Sequence, residues 1–160
     1  MSKSFFSQDV IEFLYLLSKH KVKYLIIGGE AVIYYGHARL TGDIDIFYQR
    51  NIENAAKLFE MLNEFWEKNI PGINNKAELM QEGIVFQFGV PPNRIDLLNN
   101  IEKVEFIHAW KNKKEDSITR KGNEFNIFYI GLNELIENKK AVNRFRDKED
   151  LKFLYELRKK

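Results

Sequence analysis

Apolar residues along the chain follow two different spacings, one helical and one strand-like. Val10, Ile11, Phe13, Leu14 and Leu17 recur at helical spacing behind Ser7, a ready N-cap, and predict a first helix to about His20. The uninterrupted apolar run Tyr24-Leu25-Ile26-Ile27 predicts a buried strand, which ends at Gly28-Gly29. A short helix from about Gly29 to Tyr35 follows, closed by Gly36. Residues 43–48 then alternate Asp, Ile, Asp, Ile before Phe47 and Tyr48, which is the two-residue period of a strand. Asn51 is a second N-cap, for a helix ending near Trp66 with Ala55, Leu58, Phe59, Leu62, Phe65 and Trp66 on one face.

Pro71-Gly72 breaks the pattern, and Asn75 to Glu82 reads as one short helix. Ile84 to Phe88 and Arg94 to Leu98 read as strands joined through Gly89-Val90-Pro91-Pro92-Asn93, a hairpin. Residues 104–110 and 124–130 read as further strand-like or irregular pieces, separated by a polar, lysine-rich loop. Two helices finish the chain, Leu132 to Asn143 and Asp147 to Arg158. The second has Leu151, Leu154 and Leu157 as its expected buried stripe and Phe153 at the margin. These elements make one α+β domain over 1–160: a mixed, twisted sheet flanked by helices (core about 22–130) and a short C-terminal helical segment (about 131–158).

Composition changes this picture little. The chain has 160 residues, 44% apolar and 30% charged, which suits one soluble globular domain. A net charge of +2 points to no strong class of partner, although basic residues gather at Lys111–Lys121 and again at Lys139–Lys160. Either run is a solvated face or a track for a nucleic-acid backbone. With no cysteine, disulfide frameworks and thiolate metal sites are excluded. Met1-Ser2-Lys3-Ser4-Phe5-Phe6 leads into a stretch broken by Gln8, Asp9 and Glu12, unlike a signal peptide, and no segment approaches a membrane span. A cytoplasmic protein is expected.

The candidate chemistry lies in the acidic strand. Asp43 and Asp45 sit one residue apart, so both carboxylates project from one face while Ile44 and Ile46 project from the other. Like charges at that separation repel unless a cation lies between them, and a divalent metal carrying a triphosphate is the candidate. Capping of the strand, or pairing with Arg39 or Arg50, is the structural alternative. Gly28-Gly29 lets the backbone approach phosphates, or merely satisfies a strand-to-helix turn. Asp96, flanked by Ile95 and Leu97, is a third acid in an apolar strand. Its burial requires a partner, either Arg94, a lysine, or the same metal. Three such acids could hold two Mg²⁺ ions across an in-line displacement.

Gly28-Gly29, then Asp43-Ile44-Asp45, then Asp96 on a later strand resembles the DNA polymerase beta-type nucleotidyltransferase superfamily. Gly28-Gly29-Glu30-Ala31-Val32 with Arg39-Leu40-Thr41-Gly42-Asp43-Ile44-Asp45 is similar to the branch of the type IV abortive-infection toxin nucleotidyltransferases. Lys139, Arg144, Arg146-Asp147 and Asp150 resemble that branch's C-terminal pattern, so the likeness spans about residues 22–157. The resemblance implies transfer of an NMP from an NTP to a hydroxyl of RNA, such as a tRNA end, or of protein. A toxin–antitoxin or phage-defence setting with a cognate partner would fit. It implies that Asp43, Asp45 and Asp96 bind two Mg²⁺, with Asp96 also the base. Gly28, Gly29, Arg39 and Thr41 would face phosphate, Lys139 and Arg146 would neutralise it, and Asp147 and Asp150 would orient those cations. The alternative for the last group is a helix junction with Asp147 as N-cap. A regulatory module without catalysis is the alternative for the whole chain. Gly29 departs from the family where many members carry a phosphate-touching serine. Several toxin relatives also have a further helical region, which bears on substrate recognition more than on catalysis.

Three histidines form no metal constellation in the sequence. His20 sits near a helix end, His37 follows Gly36, and His108 is expected to pack among Phe106, Ile107 and Trp110. Tyr34, Tyr35, Phe47 and Tyr48 could stack on a base, with core packing the favoured reading.

Overall fold

The computed structural model describes residues 5–160; Met1 to Ser4, part of the segment read above as lacking a leader's apolar core, lie outside them. The fold is α+β, a six-stranded mixed open sheet with six helices. The first helix, α1 (Gln8–Lys19), is capped by the Ser7 hydroxyl accepting from the Val10 amide, and buries Val10, Phe13, Leu14, Leu16 and Leu17. Strand β1 (Tyr24–Ile27) is buried throughout and runs directly into α2 (Gly28–Tyr34). Strand β2 (Asp43–Tyr48) alternates half-exposed Asp43 and Asp45 with buried Ile44 and Ile46. Helix α3 (Ile52–Phe65) begins at the Asn51 cap, whose side chain accepts from the Asn54 amide. The Asn54 side chain is in turn buried and saturated, bonding Lys23 through both its main-chain groups and the Gln49 carbonyl, so it ties the ends of β1 and β2 to the helix.

A 3₁₀ turn (Lys76–Met80) precedes the hairpin of β3 (Val85–Phe88) and β4 (Arg94–Leu98). The rest comprises α4 (Phe106–Lys111), β5 (Lys114–Arg120), β6 (Asn123–Tyr129), α5 (Leu132–Val142) and α6 (Phe145–Arg158). Strand order is β3-β4-β2-β1-β6-β5, with β2/β4 and β1/β6 parallel and the other pairs antiparallel. Tyr34, Tyr35, Phe47 and Tyr48 are all core residues, and Tyr34 stacks on Tyr129 with ring centroids 4.0 Å apart. Among the described residues, no helix is long and apolar enough to cross a membrane.

Several expectations are corrected. Within residues 104–110 the chain turns into α4 rather than a strand, because Phe106 and Ala109, one helical turn apart, both reach the core. The lysine-rich stretch is not a loop. Residues 114–120 form edge strand β5, paired over its whole length with β6; Lys114 and Glu115 face solvent, while Arg120 lies over the Tyr15 ring and pairs with Glu12. Helix α6 starts at Phe145, with Arg144 as cap residue; Asp147 is the third helical residue and bonds back to the Arg144 amide at 2.9 Å. Its buried line is Asp147, Asp150 and Leu154, with Leu151 and Leu157 only half-buried. His108 is exposed and 3.6 Å from Glu105 instead of packed.

Candidate metal and phosphate site

Strand register assembles the acids. In the parallel β2/β4 pair, Asp45 lies opposite Asp96 and Asp43 opposite Arg94. Because side chains alternate, all four project from one face of the sheet. One carboxylate oxygen from each of Asp43, Asp45 and Asp96 lies within 4.8 Å of the others, a spacing a divalent ion could span. Asp96 is buried, and Asp43 and Asp45 are half-buried.

Arg94 is the cation that the fold itself brings to these acids. Its Nη2 donates to Asp43 Oδ2 at 2.5 Å, and its fork donates to both oxygens of Asp96 at 3.1 and 3.2 Å. Among the described residues the guanidinium bonds to Asp43 and Asp96, and not to Asp45. Burial, the charges of Asp43 and Asp96, and a hydrogen bond to Asp96 push the Asp45 carboxyl up to about 7, with Arg144 acting the other way. Three carboxylates beside one half-buried guanidinium that bonds two of them are an under-neutralised, all-oxygen donor set, which fits a hard divalent cation.

Both glycines are required by contact. Gly28 has φ +64°, and a Cβ there would collide with the Asp45 carboxylate. At Gly29 a Cβ would come within 2.7 Å of Thr41 Oγ1 and 3.0 Å of Arg39 Nη2. The hydroxyl that a serine would have contributed at position 29 therefore has a neighbour in its place, Thr41, which donates to the Asp43 carbonyl at 3.1 Å.

The C-terminal helices bring cations to the same end of the sheet. Lys139 is buried and its amine lies 3.0 Å from both Asp147 and Asp150. Asp150 also holds Arg39, at 3.1 and 3.2 Å, and Asp147 holds Arg144 at 2.9 Å. Burial works to raise the Asp147 carboxyl, but bonds from Arg144 and Lys139 outweigh it and hold it at about 2. The Arg144 guanidinium is kept charged chiefly by Asp147, with Asp45 and Asp43 adding to the effect.

Gly28, Asp45, Asp96, Lys139 and Arg144 border one cavity of about 320 Å³. A second, of about 290 Å³, meets Asp43, Thr41 and Glu30. A larger cleft of about 550 Å³ contains none of the three acids. Arg146, expected at phosphate, is exposed and borders neither of the two cavities at the acids; Arg144, two residues earlier, is the arginine the fold brings to them. The signal that would have found it is the helix start: with Arg144 as the cap, its side chain leaves the junction on the side of Asp147. Compared with known proteins, the chain matches no family model and no curated protein.

Proposed function

We propose that the chain is a Mg²⁺-dependent nucleotidyltransferase of the polymerase-beta type, similar to the abortive-infection toxin branch. The observation that carries this reading is the register of β2 on β4, which sets three carboxylates within 4.8 Å of one another beside a side-chain-free Gly28. When bound, two Mg²⁺ ions would supply Lewis-acid stabilisation of the phosphoryl oxygens, held by Asp43, Asp45 and Asp96. The acceptor hydroxyl oxygen forms a bond to the α-phosphorus and gives its proton to Asp96. The bond from the α-phosphorus to the bridging oxygen breaks, and pyrophosphate leaves with the electron pair. Arg144, fixed by buried Asp147 at the edge of the Asp45-side cavity, counters the triphosphate charge without reorganising. Arg39, fixed by buried Asp150 but bordering neither cavity at the acids, adds to the field from further off. Lys139 supports them from behind, since its amine is spent on Asp147 and Asp150.

The acceptor is a hydroxyl of RNA or of a protein partner, such as a cognate antitoxin, in a cytoplasmic setting. Lys111, Lys113 and Lys114 meet Arg158 and Lys160 around a cavity of about 610 Å³, which favours a phosphate backbone. A second reading, a non-catalytic nucleotide- or partner-binding module, draws its support from Arg94, whose fork already satisfies Asp43 and Asp96. Calorimetry separates site from fold: Mg²⁺-dependent NTP binding by the protein is expected to vanish in Asp43→Ala/Asp45→Ala. Equal binding by both would remove the site assignment. Binding without label transfer from any NTP to total cell RNA or protein would favour the module.

A further inference from the structure

Two lysine-rich stretches that lie far apart in the chain meet at one place. Lys111, Lys113 and Lys114, where α4 passes into β5, and Arg158 and Lys160 at the end of α6 border a cavity of about 610 Å³ together with the start of α5. The acid among the lining residues is Glu134, which accepts from Asn112 Nδ2 at 3.5 Å. Elsewhere on the surface Lys19, Lys57, Lys140 and Lys159 each pair with a glutamate. Among the described residues, none of the five cations of this cavity is paired with an acid. Two of them are held by rings instead: Lys113 Nζ lies 4.3 Å from the centre of the Trp110 ring, and the Arg158 guanidinium carbon 5.2 Å from that of Tyr155. A ring face positions a cation without cancelling its charge, so these groups are placed and still unneutralised. The cavity is remote from the acids. Leu132 lines it, and Lys139, which borders the acid-side cavity, stands roughly 10 Å further along α5.

We propose that this cavity grips the sugar-phosphate backbone of a double-stranded nucleic acid and reads no base. Clustered, unneutralised lysine and arginine groups pair with successive phosphates and release their counterions, which is a sequence-independent source of affinity. The lining residues include no aromatic side chain, and Trp110, next to Lys111 in the chain, is already covered by Lys113. Single strands are held by stacking their bases on exposed rings. With no ring to stack on, a single strand would gain little from its bases and would still lose its freedom on binding. A duplex presents its phosphates already in place. The site stands apart from the acids: none of Asp43, Asp45 and Asp96 borders this cavity, and a catalytic and a non-catalytic chain would carry it alike.

The test follows the fluorescence anisotropy of a short labelled RNA duplex over a range of salt, with EDTA present so that no metal bridges the nucleic acid to the acids. The wild type is expected to bind with log K falling against log salt at a slope of about −3 to −4. Lys111→Glu/Lys114→Glu is expected to weaken binding by about tenfold or more and to flatten that slope by about 2. Lys148→Glu/Lys152→Glu makes the same change in net charge at exposed positions of α6 outside the cavity, and is expected to cost less than about threefold. All four positions are exposed, except that Lys114 also pairs through its backbone with β6; circular dichroism checks the fold of both variants. A duplex of scrambled sequence is expected to bind within about twofold of the first, and the matching single strand more weakly. Equal losses in the two lysine pairs would assign the affinity to overall charge and overturn the cavity. Tripolyphosphate competing as well as the duplex would make this a site for free anions instead, and preference for the single strand or for one sequence would overturn the backbone reading. No binding of the duplex by the wild type overturns the proposal outright and leaves the metal-dependent NTP binding of the acid site untouched.

Discussion

Two clusters of buried or half-buried charge face each other across the end of the sheet, and they are balanced in opposite ways. On β2 and β4, three carboxylates lie together and the guanidinium of Arg94 bonds two of them, Asp43 and Asp96. At the α5/α6 junction, two carboxylates are shared among Lys139, Arg39 and Arg144. In the first, an acid is left over and Asp45 is pushed up to about 7; in the second, Asp147 is held at about 2. An excess of acid is relieved by a proton or by a cation arriving from outside, and an excess of cation by an anion. The junction is a mount for arginines, and the strand pair is what we have proposed as a receptor for metal.

Breaking the mount gives the largest effect. Lys139→Met leaves Asp147 and Asp150 buried without their shared amine, and is expected to cost about 3–5 kcal/mol. At roughly 2–4 °C per kcal/mol for a chain of this size, thermal unfolding should shift down by about 10 °C. A shift of only a degree or two would show that the junction is wet and loosely held.

The next effect is a pair of opposite pH dependences. A carboxyl at about 7 in the metal-free fold, against about 3.9 in the unfolded chain, binds more protons folded than unfolded. Its contribution is greatest below about pH 4 and is lost as pH rises toward 7. Asp45→Asn, which mimics the protonated form, should therefore match wild type only below about pH 4 and pull ahead of it as pH rises. At about pH 7.5 without metal it should exceed wild type by more than about 1 kcal/mol, one pKa unit being about 1.4 kcal/mol. Mg²⁺ should erase that gap by stabilising wild type alone. Asp147 runs the other way: its contribution is present above about pH 4 and lost toward pH 2, so Asp147→Asn should lie below wild type at neutral pH and converge with it in acid. Parallel pH profiles for the two variants would erase the distinction between mount and receptor.

The smallest effect concerns Arg94. If its fork is a stand-in for metal, Arg94→Ala should raise Mn²⁺ affinity by about threefold to tenfold in calorimetry. Weaker Mn²⁺ binding in that variant would mean that Arg94 arranges the acids rather than competing for them.

The receptor was legible in the residues themselves, the mount only through the family resemblance, which named Lys139, Asp147 and Asp150. Asp43, Asp45 and Asp96 announce themselves because each interrupts an apolar strand, and strand period alone puts the first two on one face. Periodicity does not show the burial of Lys139, since a lysine on a polar helix is ordinarily solvated; the burial follows from α6 docking Asp147 and Asp150 against it. The α6 start was hidden because arginine is not a favoured cap, and here the Asp147 side chain caps in its stead. Strand β5 was hidden for a related reason: its residues are held by pairing with β6, not by burial, so no apolar alternation marks it. The short run that becomes α4 carries too few apolar positions for its period to be told.

The register that places Asp45 opposite Asp96 also bears on how the sheet avoids error. A slip of β2 by one residue against its neighbours would turn Asp43 and Asp45 into the packed layer and bring Ile44 and Ile46 out to solvent. Unpaired carboxylates in that layer would cost several kcal/mol each, far more than a misaligned valine or leucine. The residues that make the strand chemically useful thus make its wrong pairings costly, and selection for a working site is, at this strand, selection against misfolding as well.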